Sequence, residues 1–77
     1  MPTVLRLGPY RFFFYSLETG EPPHIHIEDG NRTAKFWLEP VELARSQGLR
    51  NHDLSKLRLM VIENRLRFLE AWYEHFG

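Results

Sequence analysis

The apolar residues change period near residue 40, and that change restricts the fold of this chain more than any other feature. Up to Leu38 they fall in short β-rich runs, TVLRL, YRFFFYS, HIHIE and TAKFWL, separated by turn signals. Gly8-Pro9 suits a tight hairpin, LETGEPP a turn-rich loop, and Asp29-Gly30-Asn31 a second hairpin. Beyond Pro40 the apolar residues recur at helical spacing. Pro40 fits the first turn of a short helix over residues 41–47, with Gly48 as its stop. Asn51 then fits the N-cap of a long helix over residues 52–76. The expected fold is α+β, one domain over residues 1–77. Its sheet is four-stranded and mainly antiparallel, formed by residues from about 3 to 38, and is covered on one face by the short helix and the long C-terminal helix.

Size makes that cover necessary. A chain of 77 residues lies near the lower limit for a self-sufficient core. Hydrophobic residues form 43% of it and aromatics 14%, enough to fold yet leaving room for stabilisation by a second copy or a partner protein. There is no cysteine, so disulfides, a thiol nucleophile and thiolate ligation of metals are excluded. No segment approaches the run of ~20 apolar residues that spans a bilayer, and no signal-peptide pattern opens the chain. The expectation is a soluble, cytoplasmic protein with no membrane partner. Ten Lys and Arg balance ten Asp and Glu, which disfavours DNA binding by the chain alone and makes any contact with RNA depend on local charge.

Period-two alternation sorts the two faces of the sheet. Ile25 and Ile27 point one way, and His24, His26 and Glu28 the other. Ala34, Phe36 and Leu38 oppose Thr33, Lys35 and Trp37. With the isoleucine side under the helices, Leu5, Leu7, Tyr10, Phe12 and Phe14 join the core. Arg6, Arg11, Phe13 and Tyr15 then share an open face with the histidines, Lys35 and Trp37. A one-residue bulge would reverse part of this arrangement. On the long helix, Leu54, Leu57, Val61, Ile62, Leu66, Phe68, Leu69, Trp72, Tyr73 and Phe76 form a broad apolar arc. Arg58 and Arg65 project near its middle, where they snorkel, pair with a carboxylate, or meet a partner.

The two histidines of Glu21–Gly30 lie about 6.5 Å apart along one strand face, from a rise of ~3.3 Å per residue. That spacing permits joint ligation of zinc, but Glu28 is about 13 Å from His24 by the same rise. His52 and His75 belong to opposite ends of the long helix. No third ligand follows from the sequence, so neither a metal nor a cofactor is assigned. Acid–base chemistry needs less: two imidazoles titrating near neutrality, beside Arg11 and Lys35 for a phosphate, have the composition for metal-independent RNA cleavage. Trp37 and Tyr15 would stack a base. The alternation His24-Ile25-His26-Ile27 superficially resembles the histidine-triad nucleotide hydrolases, but Glu28 stands at the third position. Pro2, which would become N-terminal on loss of Met1, is similar only in that respect to tautomerases that use an amino-terminal proline.

Taken in order, MPTVLRLGPYRFFFYS, EPPHIHIE, AKFWLEPVELA and ENRLRFLEAWYEHFG resemble a bacterial family catalogued as domain of unknown function family 4160. The most specific parts are Pro22-Pro23-His24-x-His26, Lys35-Phe36-Trp37 and Glu63-Asn64 with Trp72. Some members are described as toxins of type II toxin–antitoxin pairs. The resemblance therefore implies a small α+β protein held by a cognate antitoxin-like protein; it implies no particular reaction. The leading expectation is a toxin-like component acting on RNA or translation, with affinity supplied in part by the ribosome. His24 and His26 would be its acid–base groups, Arg11, Lys35, Tyr15 and Trp37 its RNA-binding groups, and Arg58 and Arg65 its partner interface. The competing expectations are a non-catalytic interaction module that docks a partner or a second copy through the aromatic and basic face, and a histidine-based metal-binding domain.

Overall fold

The computed structural model describes residues 3–15 and 20–76. Pro2 and Ser16–Thr19, and with them part of the expected loop after the second strand, lie outside the described residues. The chain forms β1 (Thr3–Leu7), β2 (Tyr10–Phe13), β3 (His24–Asp29), β4 (Arg32–Leu38) and β5 (Val41–Gln47), then α1 (Asn51–Glu63) and α2 (Arg65–Phe76). The sheet has the order β1-β2-β3-β4-β5, with every neighbouring pair antiparallel. Both expected hairpins form. Leu7 pairs with Tyr10 across Gly8-Pro9, and Asp29 pairs with Arg32 across Gly30-Asn31. Gly8 and Gly30 open these turns at φ 58° and 60°, conformations that glycine adopts at no steric cost and that match the right-handed strand twist.

The expectation of four strands and a short helix over 41–47 is overturned, because Val41–Gln47 is a fifth strand. Glu39 and Pro40 turn the chain so that Val41 pairs with Leu38 and the segment returns along β4 to Gln47 opposite Thr33. The helical propensity of Glu-Leu-Ala-Arg is worth only tenths of a kcal/mol per residue, and satisfying the outer hydrogen-bonding groups of β4 outweighs it. Of this strand only Val41 is buried, so β5 is held by its ladder more than by side-chain burial. A bulge places Arg45 opposite Lys35 but Leu43 opposite Phe36, which leaves Ala44 as the extra residue and keeps Glu42, Arg45 and Gln47 on one face.

The expected long helix is interrupted at Asn64. The Asn64 backbone N–H and its side-chain amide both donate to the Met60 carbonyl, at 3.1 and 2.9 Å. This local competition for one acceptor is a recognised cause of helix bending. Phe68 N–H still bonds to the Asn64 carbonyl, so α2 follows α1 without a loop. α1 begins at Asn51 after Arg50, whose backbone N–H is capped by the Asp53 carboxylate at 3.2 Å. Asn51 is thus the first helical residue rather than the cap.

The core lies between the helices and the isoleucine face. Ile25, Ile27, Phe36 and Leu38 pack with Phe12, Leu57, Val61, Phe68 and Trp72. Phe12 stacks on Phe68 with ring centroids 5.3 Å apart, and Phe14 meets Trp72 edge-on at 5.3 Å. Such pairs add about 0.5–1.5 kcal/mol each beyond the area they bury. Ile62, Leu66 and Tyr73, expected within the buried arc, are exposed together with Leu59, because a helix lying on one sheet face buries only part of so wide an arc. At the far end of β4, Arg65 Nε donates to the Leu38 carbonyl at 2.6 Å, and Tyr73 donates to the Glu39 carboxylate at 3.0 Å. These bonds tie α2 to the β4–β5 turn. Among the described residues, no helix is long and apolar enough to cross a membrane.

Candidate functional site

The face of the sheet turned away from the helices is ordered in cross-strand rows. Phe13 pairs with His26, His26 with Lys35, and Lys35 with Arg45. The middle row of that face therefore runs aromatic ring, imidazole, ammonium, guanidinium across β2 to β5. One side is flanked by Arg11, Glu28, Thr33 and Gln47, the other by His24, Trp37 and Glu42. Alternation alone had grouped Arg11, Phe13, His24, His26, Lys35 and Trp37, and the register brings them together as residues of one face.

Their exposure is another matter. The open face expected from the sequence is largely closed: His24 is 0% exposed, Phe13 3%, His26 6% and Lys35 8%. His24 packs against Trp72 of α2 at 4.7 Å between ring centroids and against Trp37 at 5.6 Å. Its Nδ1 lies 2.9 Å from the Pro22 carbonyl oxygen. A carbonyl can only accept, so Nδ1 carries a proton and donates to it. The expectation that both imidazoles turn toward a ligand is therefore corrected for His24. It occupies a minor core, enclosed by the rings of Trp37 and Trp72 and by the segment entering β3, whose Pro22 carbonyl it bonds.

His26 lies at the margin of this minor core. Its ring stacks on Phe13 at 5.5 Å, meets Tyr15 at 4.7 Å and stands edge-on to His24 at 5.1 Å. It lines a pocket of about 330 Å³ together with Phe13, Tyr15, Lys35, Arg45 and Gln47, a volume at the small end of the range for ligand sites. Tyr15, at the rim, is 45% exposed. Trp37 is half-buried and receives the Lys35 ammonium 4.6 Å above its ring.

The cations of this face differ in what already holds them. Arg11 donates to Glu28 at 2.7 Å and to the Thr3 hydroxyl at 2.9 Å, with its guanidinium 4.3 Å over the Phe13 ring. Lys35 donates to Glu21 at 2.8 Å. Arg45 is exposed and, among the described residues, forms no ion pair. It was missed in the sequence because its segment was assigned to a helix. The signal that would have found it is the period-two spacing of Val41 and Leu43 directly after a Glu-Pro turn.

The remaining candidates lie elsewhere. Arg58 is on the exposed side of α1, and Arg65 is partly buried against the β4–β5 turn, 3.8 Å from Glu39. His52 sits beside Asp53 at the start of α1, and His75 packs against Phe14 near the end of α2. Among the described residues, no three His, Asp or Glu side chains converge in a geometry that would hold a metal ion.

The architecture is that of a small α+β domain: a five-stranded antiparallel meander with helices on one face and an imidazole–cation row on the other. Residues 10–73 match the family described as Domain of unknown function (DUF4160), and the chain belongs to that family. No curated protein and no solved structure matches the chain.

Proposed function

We propose that this protein is the toxin-like component of a toxin–antitoxin pair and acts on single-stranded RNA through the His26 pocket. The observation that supports this reading most is the row Phe13, His26, Lys35, Arg45 bordering that pocket. Two cations on adjacent strands suit a phosphate, and exposed Tyr15 beside Phe13 offers a ring on which a base can stack. Double-stranded RNA presents no splayed base to such a recess, which favours single strands. His26 is the proton-transfer group in this reading, as the imidazole of the pair that reaches the pocket. His24 is a positioning residue that acts through the ring of His26. A neutral chain binds RNA weakly by charge alone, so docking on a larger RNA–protein assembly such as the ribosome fits the same reading. A cognate antitoxin-like protein is the partner that would restrain it.

The test is induction in a bacterial host and addition to cell-free translation, with anisotropy of a labelled single-stranded oligoribonucleotide as the binding readout. Growth arrest and inhibited translation that disappear in His26→Ala and Arg45→Ala, with circular dichroism unchanged, are expected. Absence of arrest, of inhibition and of RNA binding in the wild type would sink this reading. The surviving alternative would be a non-catalytic interaction module, which the exposed apolar residues of the helices favour.

A further inference from the structure

The helices carry an apolar stripe that the fold leaves uncovered. Leu59 is 58% exposed, Ile62 42%, Leu66 77% and Tyr73 53%. Their spacings of three, four and seven residues repeat the pattern of a coiled-coil seam. Leu57, Val61, Phe68 and Trp72 face the sheet, so at 100° per residue the stripe points away from it. The bonds from Asn64 N–H to Met60 and from Phe68 N–H to Asn64 carry the helical path across the break. The seam therefore runs from α1 into α2.

We propose that this stripe is the contact between two copies of the chain, packed with their helices parallel about a two-fold axis. The charges beside the stripe select both the occupant and its direction. On the helical wheel Arg58 and Arg65 flank one edge, and Glu63 and Glu70 flank the other. In a parallel pair, a residue on the first edge meets the residue five positions later on the second edge of its mate. Arg58 then meets the mate's Glu63, Arg65 meets its Glu70, and the two-fold axis repeats each contact. In an antiparallel pair, Arg would face Arg and Glu would face Glu.

Arg58, Glu63 and Glu70 form no ion pair among the described residues. Arg65 keeps 37% of its side-chain exposure while it holds the β4–β5 turn. A surface that complements itself is what a two-fold contact requires, and a domain this small gains from burying it. The opposite face of the sheet, with the His26 pocket, stays uncovered in such a dimer.

Sedimentation equilibrium of the full chain at about 100 µM, well above the micromolar constants of weak complexes, tests the proposal. The expected mass is twice the 9.2 kDa of the chain. Leu66→Glu should return the monomer mass with the circular dichroism spectrum unchanged, since the Leu66 side chain is 77% exposed on its own chain. Glu63→Arg should raise the dissociation constant at least about tenfold by juxtaposing like charges. Adding Arg58→Glu to Glu63→Arg should restore the dimer, a rescue that general loss of stability would not produce. A monomer mass for the wild type would overturn the proposal. So would a dimer indifferent to Leu66→Glu, or the absence of rescue in the double reversal.

Discussion

Replacing His24 with alanine measures how much of the fold rests on this imidazole. The ring is fully buried, with Trp72 at 4.7 Å, His26 at 5.1 Å and Trp37 at 5.6 Å between centroids. Two losses follow from its removal. The Pro22 carbonyl loses its Nδ1–H donor, a net cost of roughly 1 kcal/mol. The vacated ring leaves a cavity walled by two indoles, which on the scale of large-to-small core substitutions costs about 2 kcal/mol more. The sum of about 3 kcal/mol is a large part of the roughly 4–12 kcal/mol expected for a domain this size. With a urea slope near 1–1.5 kcal/mol/M, the unfolding midpoint should fall by about 2–3 M. His24→Asn, whose side-chain amide can reach the Pro22 carbonyl, should recover about 1 kcal/mol of the loss. Urea titration by tryptophan fluorescence measures all three proteins. A midpoint within about 0.3 M of the wild type for His24→Ala, corresponding to under 0.5 kcal/mol, would refute the sealed placement of the ring. The result also governs the growth assay of the proposed function, because a lost effect in an unfolded His24→Ala chain says nothing about proton transfer.

Other perturbations address other parts of the molecule. Gly48 sits at φ +77°, where an added Cβ would come within 3.2 Å of Arg32 Cγ, so Gly48→Ala should cost about 1–2 kcal/mol in urea unfolding. The hydrogen bond to the Glu39 carboxylate holds the Tyr73 phenol above its ordinary pKa. A raised folded-state pKa means that this contribution is intact below the usual tyrosine value of about 10 and is lost as pH climbs through the folded value. Tyr73→Phe should therefore flatten the alkaline decline of the thermal midpoint, and ultraviolet difference titration should show it lacking a late-ionising phenol that the wild type has. If RNA binds across Lys35 and Arg45, the slope of log affinity against log salt should be about −1.4, and Arg45→Ala should reduce its size by about 0.7. An unchanged slope would remove Arg45 from the contact.

Much of the site was legible because strand geometry is local. Alternation around His24-Ile25-His26-Ile27 and Lys35-Phe36-Trp37 assigns each side chain to a face without reference to the rest of the chain. The glycine-led hairpins hold the register that aligns them. Legibility failed where two local preferences were close in energy. Val41–Gln47 contains good helix formers and a proline acceptable at a helix start, but β4 had an unpaired edge and the segment was near enough to fill it. With that error went Arg45, the cation of the row that has no carboxylate partner among the described residues.

The amino-acid pattern by itself determined the hairpin turns at Gly8-Pro9 and Gly30-Asn31, which side chains of β3 and β4 share a face, and that an aliphatic surface must meet a helical one. Each of these depends on neighbours within a few residues, and such interactions form in the same way wherever the segment lies. Only the tertiary structure decided that 41–47 extends the sheet, that Asn64 divides the helix, and that His24 is enclosed while His26 borders a recess. Alternation sets the direction of a side chain; its access to solvent depends on what crosses above it. Here that is Trp72, 48 positions beyond His24 in the sequence, which no local pattern could place against the ring.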